Sequence, residues 1–119
     1  MTIRRIMPDF QVGSEAQMET SRDFYGLLGF EEVMNMGWVM TLASPANPTA
    51  QISFFTAERT APVVPDLSVE VEDVDAVYAQ VLASGAEIVR ELRDEEWGVR
   101  RFFVRDPNGR VVNVLSHQA

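Results

Sequence analysis

The chain has no cysteine, which removes disulfide frameworks, thiolate nucleophiles and zinc–thiolate centres at once and fits a reducing, cytoplasmic setting. It has a single histidine, His117, so metal sites built on several imidazoles are excluded as well. No apolar run is long enough to span a bilayer, and the start, Met1-Thr2-Ile3-Arg4-Arg5-Ile6, lacks the apolar stretch of a secretion signal. Positive charge is scarce too. Eighteen acidic residues face ten basic ones, for a formal charge of −8, and the arginines are scattered rather than striped. Nucleic-acid backbones are therefore not expected as partners; an acidic surface serves solubility and favours cationic ligands. A glycine-rich phosphate cradle, a nucleophile elbow and a Ser-His-Asp order are all missing.

What the chain does contain is an internal echo. Gly29-Phe30-Glu31 followed by Val33 is answered by Gly85-Ala86-Glu87 followed by Val89, each after a helix-like segment. Half of a 119-residue chain is too small to hold a core comfortably, so the two copies are expected to share one single domain, residues 1–119.

The first copy, about residues 1–57, reads as a strand from Ile3 to Val12 and a helix from about Met18 to Leu28. Strands follow over Phe30 to Met36, Trp38 to Ala43 and Gln51 to Thr56. Thr20 or Ser21 stands near the expected helix start, Phe24, Leu27 and Leu28 fall on one face, and Gly29 ends the run. Residues 58–65, with Pro62 and Pro65, have no periodicity and form a linker. The second copy, about residues 66–119, opens on Leu67-Ser68-Val69-Glu70-Val71, whose alternation gives a core face and a polar face carrying Asp66, Ser68 and Glu70. Asp73 is the expected N-cap of a helix with Val74, Val77, Tyr78, Val81 and Leu82 at helical spacing, ended by Gly85. Strands over Glu87 to Leu92, Gly98 to Asp106 and Arg110 to Ser116 complete it, the last two joined by a tight turn at Asp106-Pro107-Asn108-Gly109.

The order strand, helix, three strands, written twice, resembles the vicinal oxygen chelate superfamily of glyoxalases, bleomycin resistance proteins and extradiol dioxygenases. The resemblance is carried by Ser21-Arg22-Asp23-Phe24-Tyr25-Gly26-Leu27-Leu28-Gly29-Phe30, by Leu67 through Asp75 with Gly85, and by Trp97-Gly98 through Asp106-Pro107-Asn108-Gly109-Arg110-Val111-Val112-Asn113-Val114. It implies an α+β fold of two βαβββ modules whose curved mixed sheets enclose a cleft, in a homodimer. It also implies metal-ligand positions on the first and last strands of each module, where His, Glu or Gln would bind a divalent ion. Those positions hold Asn113 on the last strand of the second module, Asp66 on its first strand, and Gln51, or Ser53 one dipeptide on, in the first module; Arg4 and Arg5 occupy the start of the first strand. An amide and one carboxylate are a weak set for Mg²⁺, Mn²⁺ or Fe²⁺, so no cofactor is expected.

The expected function is thus metal-free binding or sequestration of an apolar or aromatic small molecule. Trp38, Gln51, Ser53, Asp66, Ser68, Trp97, Arg101 and Asn113 are its candidate contacts. Trp38 and Trp97 offer stacking surface and Arg101 a partner for a carboxylate or a ring. Strand alternation separates Arg101, Phe103 and Arg105 from Arg100, Phe102 and Val104, so only one set serves a ligand. Met34, Met36 and Met40 fill core gaps, and His117 is expected in the solvated tail. Asp94-Glu95-Glu96 reads as a solvated loop rather than a carboxylate pair, because neighbours in a strand point apart. Two alternatives remain: a lyase- or dioxygenase-type enzyme with a degenerate divalent site or acid–base groups such as Glu70 and Asp66, and an interaction protein that binds no small ligand.

Overall fold

The computed structural model describes residues 2–118. Its elements follow the order strand, helix, three strands, twice: β1 (Ile3–Gln11), α1 (Glu15–Gly26), β2 (Glu31–Asn35), β3 (Val39–Ala43), β4 (Gln51–Phe55), then β5 (Leu67–Val71), α2 (Val74–Ser84), β6 (Ile88–Asp94), β7 (Val99–Arg105) and β8 (Val111–His117). The chain divides into two compact units, one of residues 7–64 and one running from Pro65 onward that also takes the chain start up to Ile6. Contacts that bind that start to the second unit include Glu72 N donating to the Thr2 carbonyl at 3.0 Å and the ion pair of Arg5 with Glu70 at 2.7 Å.

In the first unit β1 runs parallel to β4, which pairs antiparallel with β3, and β3 with β2. Even-numbered residues of β3 and β4, namely Met40, Leu42, Ile52 and Phe54, bury against Met18 of α1. Met40 is a core filler, as expected of a flexible thioether, whereas Met36 is exposed. α1 begins earlier than its spacing predicts. Ser14, in extended conformation, accepts from Gln17 N and caps the helix, and Glu15 follows in the first turn, where a negative charge suits the exposed N–H groups. The expected apolar face also fails: Phe24, Leu27 and Leu28 are exposed, Leu27 by 83%. The helix instead turns Met18 and Tyr25, seven residues apart, toward the sheet, and Leu27 and Leu28 lie beyond its last turn.

In the second unit β5 runs parallel to β8, with β7 and β6 added antiparallel. α2 follows its sequence signals closely: Asp73 accepts from Ala76 N at 3.1 Å, and Gly85 ends the helix at φ +79°, a left-handed conformation in which a side chain would be strained. Val71, Val74, Phe102 and Val114 form its core, with Val69, Val77, Tyr78, Val81 and Val104 packed around them. Tyr78 lies 4.8 Å from Phe102, ring centre to ring centre. The β7–β8 turn is as predicted: Asp106 accepts from Asn108 N and Arg110 N, and Gly109 N donates to the Asp106 carbonyl.

Candidate functional site

Because Phe102, Val104, Val112 and Val114 face α2, alternation sends Val99, Arg101 and Phe103 of β7 and Asn113, Leu115 and His117 of β8 to the opposite face. β5 adds Ser68 and Glu70 there, through the partners Ser68 with Asn113 and Glu70 with Leu115. β6 reaches this face only by breaking its own alternation. Ile88 partners Val104 on the helix side, yet Arg90 partners Phe103 and Arg93 partners Arg101, with register shifts between Ile88 and Arg90 and again between Arg90 and Arg93. Each bulge inserts a residue and re-aims the next side chain. Two bulges thus place Arg90 and Arg93 beside Arg101.

A buried carboxylate joins them. The β6–β7 turn is closed by Gly98 N donating to the Glu95 carbonyl, with Gly98 at φ +84°, and it folds Glu95 back over the sheet. Only 2% of the Glu95 side chain is exposed, and its Oε1 meets Arg90 Nη2, Arg101 Nε at 3.2 Å and Arg93 Nε at 3.9 Å. The Arg101 guanidinium also lies 5.2 Å from the Trp97 ring centre and 4.9 Å from that of Phe103, within cation–π range of both. Burial lowers the Arg90 pKa from its ordinary value; Glu95 opposes this, while Arg101 and Arg93 push the same way as burial, and the net shift is downward. The expectation of a solvated loop over Asp94-Glu95-Glu96 is therefore wrong at Glu95. Periodicity could not reveal it, because the bulges that bring Arg90 and Arg93 to meet it are invisible in a period-two pattern.

Further along the same face, Asn113 Nδ2 donates to Ser68 Oγ at 3.0 Å. Asn113 is 6% exposed, and its Oδ1 is buried without a hydrogen-bond partner among the described residues. At the far end Glu70 forms an ion pair with Arg5 at 2.7 Å and lies 2.8 Å from His117 Nδ1. His117 is exposed, as expected of a tail residue, but it is anchored. Burial alone would raise the Glu70 pKa, but the hydrogen bond from His117 and the charges of Arg5 and His117 hold it below the ordinary carboxylate value. A folded-state value below the unfolded one gives stability above the ordinary carboxylate range, and that stability is lost as pH falls through the folded value. Glu70→Gln should therefore cost most near neutrality, with the gap to wild type closing as pH falls below the ordinary carboxylate range; urea midpoints measured from neutrality into acid check it.

The other candidates are engaged within their own units. Asp66 does not reach the level of Asn113: it precedes β5, and its Oδ2 accepts from Val111 N at 2.8 Å, so Ser68 and not Asp66 is the first-strand residue beside Asn113. Ser53 Oγ lies 2.9 Å from Thr41 Oγ, and Gln51 Nε2 donates to the Pro48 carbonyl. Trp38 packs on Phe55, ring centres 5.9 Å apart. Arg100, on the α2 side of β7, pairs with Asp75 and Asp94. A neutral amide at Asn113 and a carboxylate at Asp66 are a weak donor set for a divalent ion. Among the described residues no three His, Cys, Asp or Glu side chains stand together as a metal-binding group, and at the expected positions one oxygen of the Asp66 carboxylate already serves Val111 N.

Two βαβββ units of this order define an α+β fold of paired modules. The model of the Glyoxalase/Bleomycin resistance protein/Dioxygenase superfamily matches residues 15–114, and the chain belongs to that superfamily. Similar solved structures include a glyoxalase/bleomycin resistance protein/dioxygenase superfamily member from Vibrio splendidus 12B01, 17% identical with a TM-score of 0.67, covering 97% of this chain and 99% of that one. Methylmalonyl-CoA epimerase from Mycobacterium tuberculosis is 19% identical with a TM-score of 0.65, covering 98% of this chain and 88% of that one. The Mn(II)-bound glyoxalase from Novosphingobium aromaticivorans is 20% identical with a TM-score of 0.64, covering 96% of this chain and 38% of that one. At these identities the likeness is one of fold. No curated protein matches the chain.

Proposed function

We propose that this superfamily member binds a small organic molecule with an aromatic or apolar body, through hydrogen-bonding and stacking groups rather than through a metal, in a sequestering or sensing role. The observation that carries this reading is Asn113. Where the family resemblance puts an anionic metal ligand, this chain has a neutral amide that gives its N–H to Ser68 and keeps a buried, unpartnered oxygen. An unsatisfied buried acceptor is costly, and a ligand hydroxyl or amide proton would satisfy it. Trp97, partly exposed beside Arg101, supplies stacking surface on the same unit.

Titrating the protein with a panel of neutral and charged aromatic compounds should change tryptophan emission for at least one class. The change should disappear in Trp97→Phe and persist in Trp38→Phe. A panel that leaves the emission untouched, or a response that survives Trp97→Phe, counts against the proposal.

One observation favours an enzyme as the second reading. Glu70 at 2.8 Å from His117 Nδ1 leaves Nε2 of an exposed imidazole as a proton acceptor, the arrangement of an oriented general base. Under this reading His117→Gln would abolish turnover of a bound compound without abolishing its binding.

A further inference from the structure

We propose that the arginine-bearing face of the second unit receives the carboxylate of a flat organic acid, with Arg93 as the approaching fork and Trp97 as the flanking ring. This rests on the small-molecule reading above and gives it a ligand class. The general acidity of the chain points to cationic ligands; this face points the other way.

All ten basic residues of the chain are arginines, whose planar forks match a carboxylate edge to edge, which an ammonium cannot do. Three of them, Arg90, Arg93 and Arg101, converge on a single oxygen, Glu95 Oε1. Two β-bulges in one seven-residue strand are what bring Arg90 and Arg93 there, and without them strict alternation would put one of the two on the α2 face. Such bulges recur beside binding sites because they re-aim side chains. The crowding is electrostatic as well as geometric: Arg101 and Arg93 both act to lower the Arg90 pKa. An anion arriving at this cluster relieves that repulsion.

The way in is also defined. Arg93 has 59% of its side chain exposed and touches Glu95 only at 3.9 Å, so its fork can turn to an incoming group without dismantling the buried pairs. Trp97, on the turn that follows, is 36% exposed and presents an aromatic surface for the body of the acid. A carboxylate on Arg93 with its ring on Trp97 uses both exposed members of an otherwise buried cluster.

The experiment is calorimetric titration of the full chain with 2-naphthoate and with 2-naphthamide, its neutral isostere. The acid should bind about tenfold more tightly than the amide at low salt, and added salt should narrow the difference. Arg93→Gln should remove most of the preference, while Arg22→Gln, on the other unit, should leave it intact. Equal affinities for acid and amide, or binding of neither, would overturn this proposal and leave the small-molecule reading to the wider panel of compounds. A preference unchanged by Arg93→Gln would also overturn it, since the acid would then be held elsewhere.

Discussion

Glu95→Ala is expected to unfold at markedly lower urea concentration, with a loss of about 3–5 kcal/mol. The carboxylate is buried between two buried guanidinium groups, Arg90 and Arg101, and its removal leaves like charges side by side in a place water reaches poorly. Glu95→Gln keeps the shape and lowers the cost only in part, because the amide still offers an acceptor but no charge. The cluster as a whole contributes far less than this loss suggests. Desolvating three ions costs about what their attraction returns, so replacing Arg90, Glu95 and Arg101 together by apolar residues of similar size should come out within about 2 kcal/mol of wild type. Equilibrium urea unfolding of the single and triple variants separates the two cases. A small loss for Glu95→Ala alone would mean that water enters the cluster freely.

The second large effect is in the apolar layer on the other side of the same sheet. Phe102→Ala should cost about 3–5 kcal/mol, because the ring is 0% exposed, packs at a tilt against Tyr78, and is surrounded by Val71, Val74 and Val114. Sequence neighbours with opposite roles make the comparison informative. Arg101 and Phe103 face the charged side, Phe102 the helix, so Phe102→Ala should lower stability while leaving the tryptophan response to ligand in the folded protein intact. Arg101→Ala should alter both.

How far the sequence foretold this depends on whether a feature is local. α2 was legible because every signal agrees: a capping Asp73, valines at helical spacing, and Gly85 where a left-handed residue is needed. The Asp106-Pro107-Asn108-Gly109 turn was legible for the same reason. α1 was not, since Ser14 is followed by Glu-Ala-Gln, which carries no apolar rhythm, and the more hydrophobic Phe24, Leu27 and Leu28 proved exposed. Of the candidate site, strand alternation separated Arg101 and Phe103 from Arg100 and Phe102, as the sheet bears out; the contacts of Ser68 with Asn113 and of Arg101 with Trp97 were not read from the sequence. Arg90 and Glu95 were missed because bulges depend on pairing across strands, and a charged triplet beside a turn looks solvated until its partners are known. Asp66 was assigned a position it does not reach, since a carboxylate just before a strand is captured by the nearest free backbone N–H, here that of Val111.

Elemental analysis of the protein purified without chelator tests most directly whether organic contacts have replaced a metal. The expected result is no stoichiometric divalent ion, with ligand binding unchanged after dialysis against a chelator. A stoichiometric ion that is lost on chelation, together with ligand affinity, would contradict the account at its root.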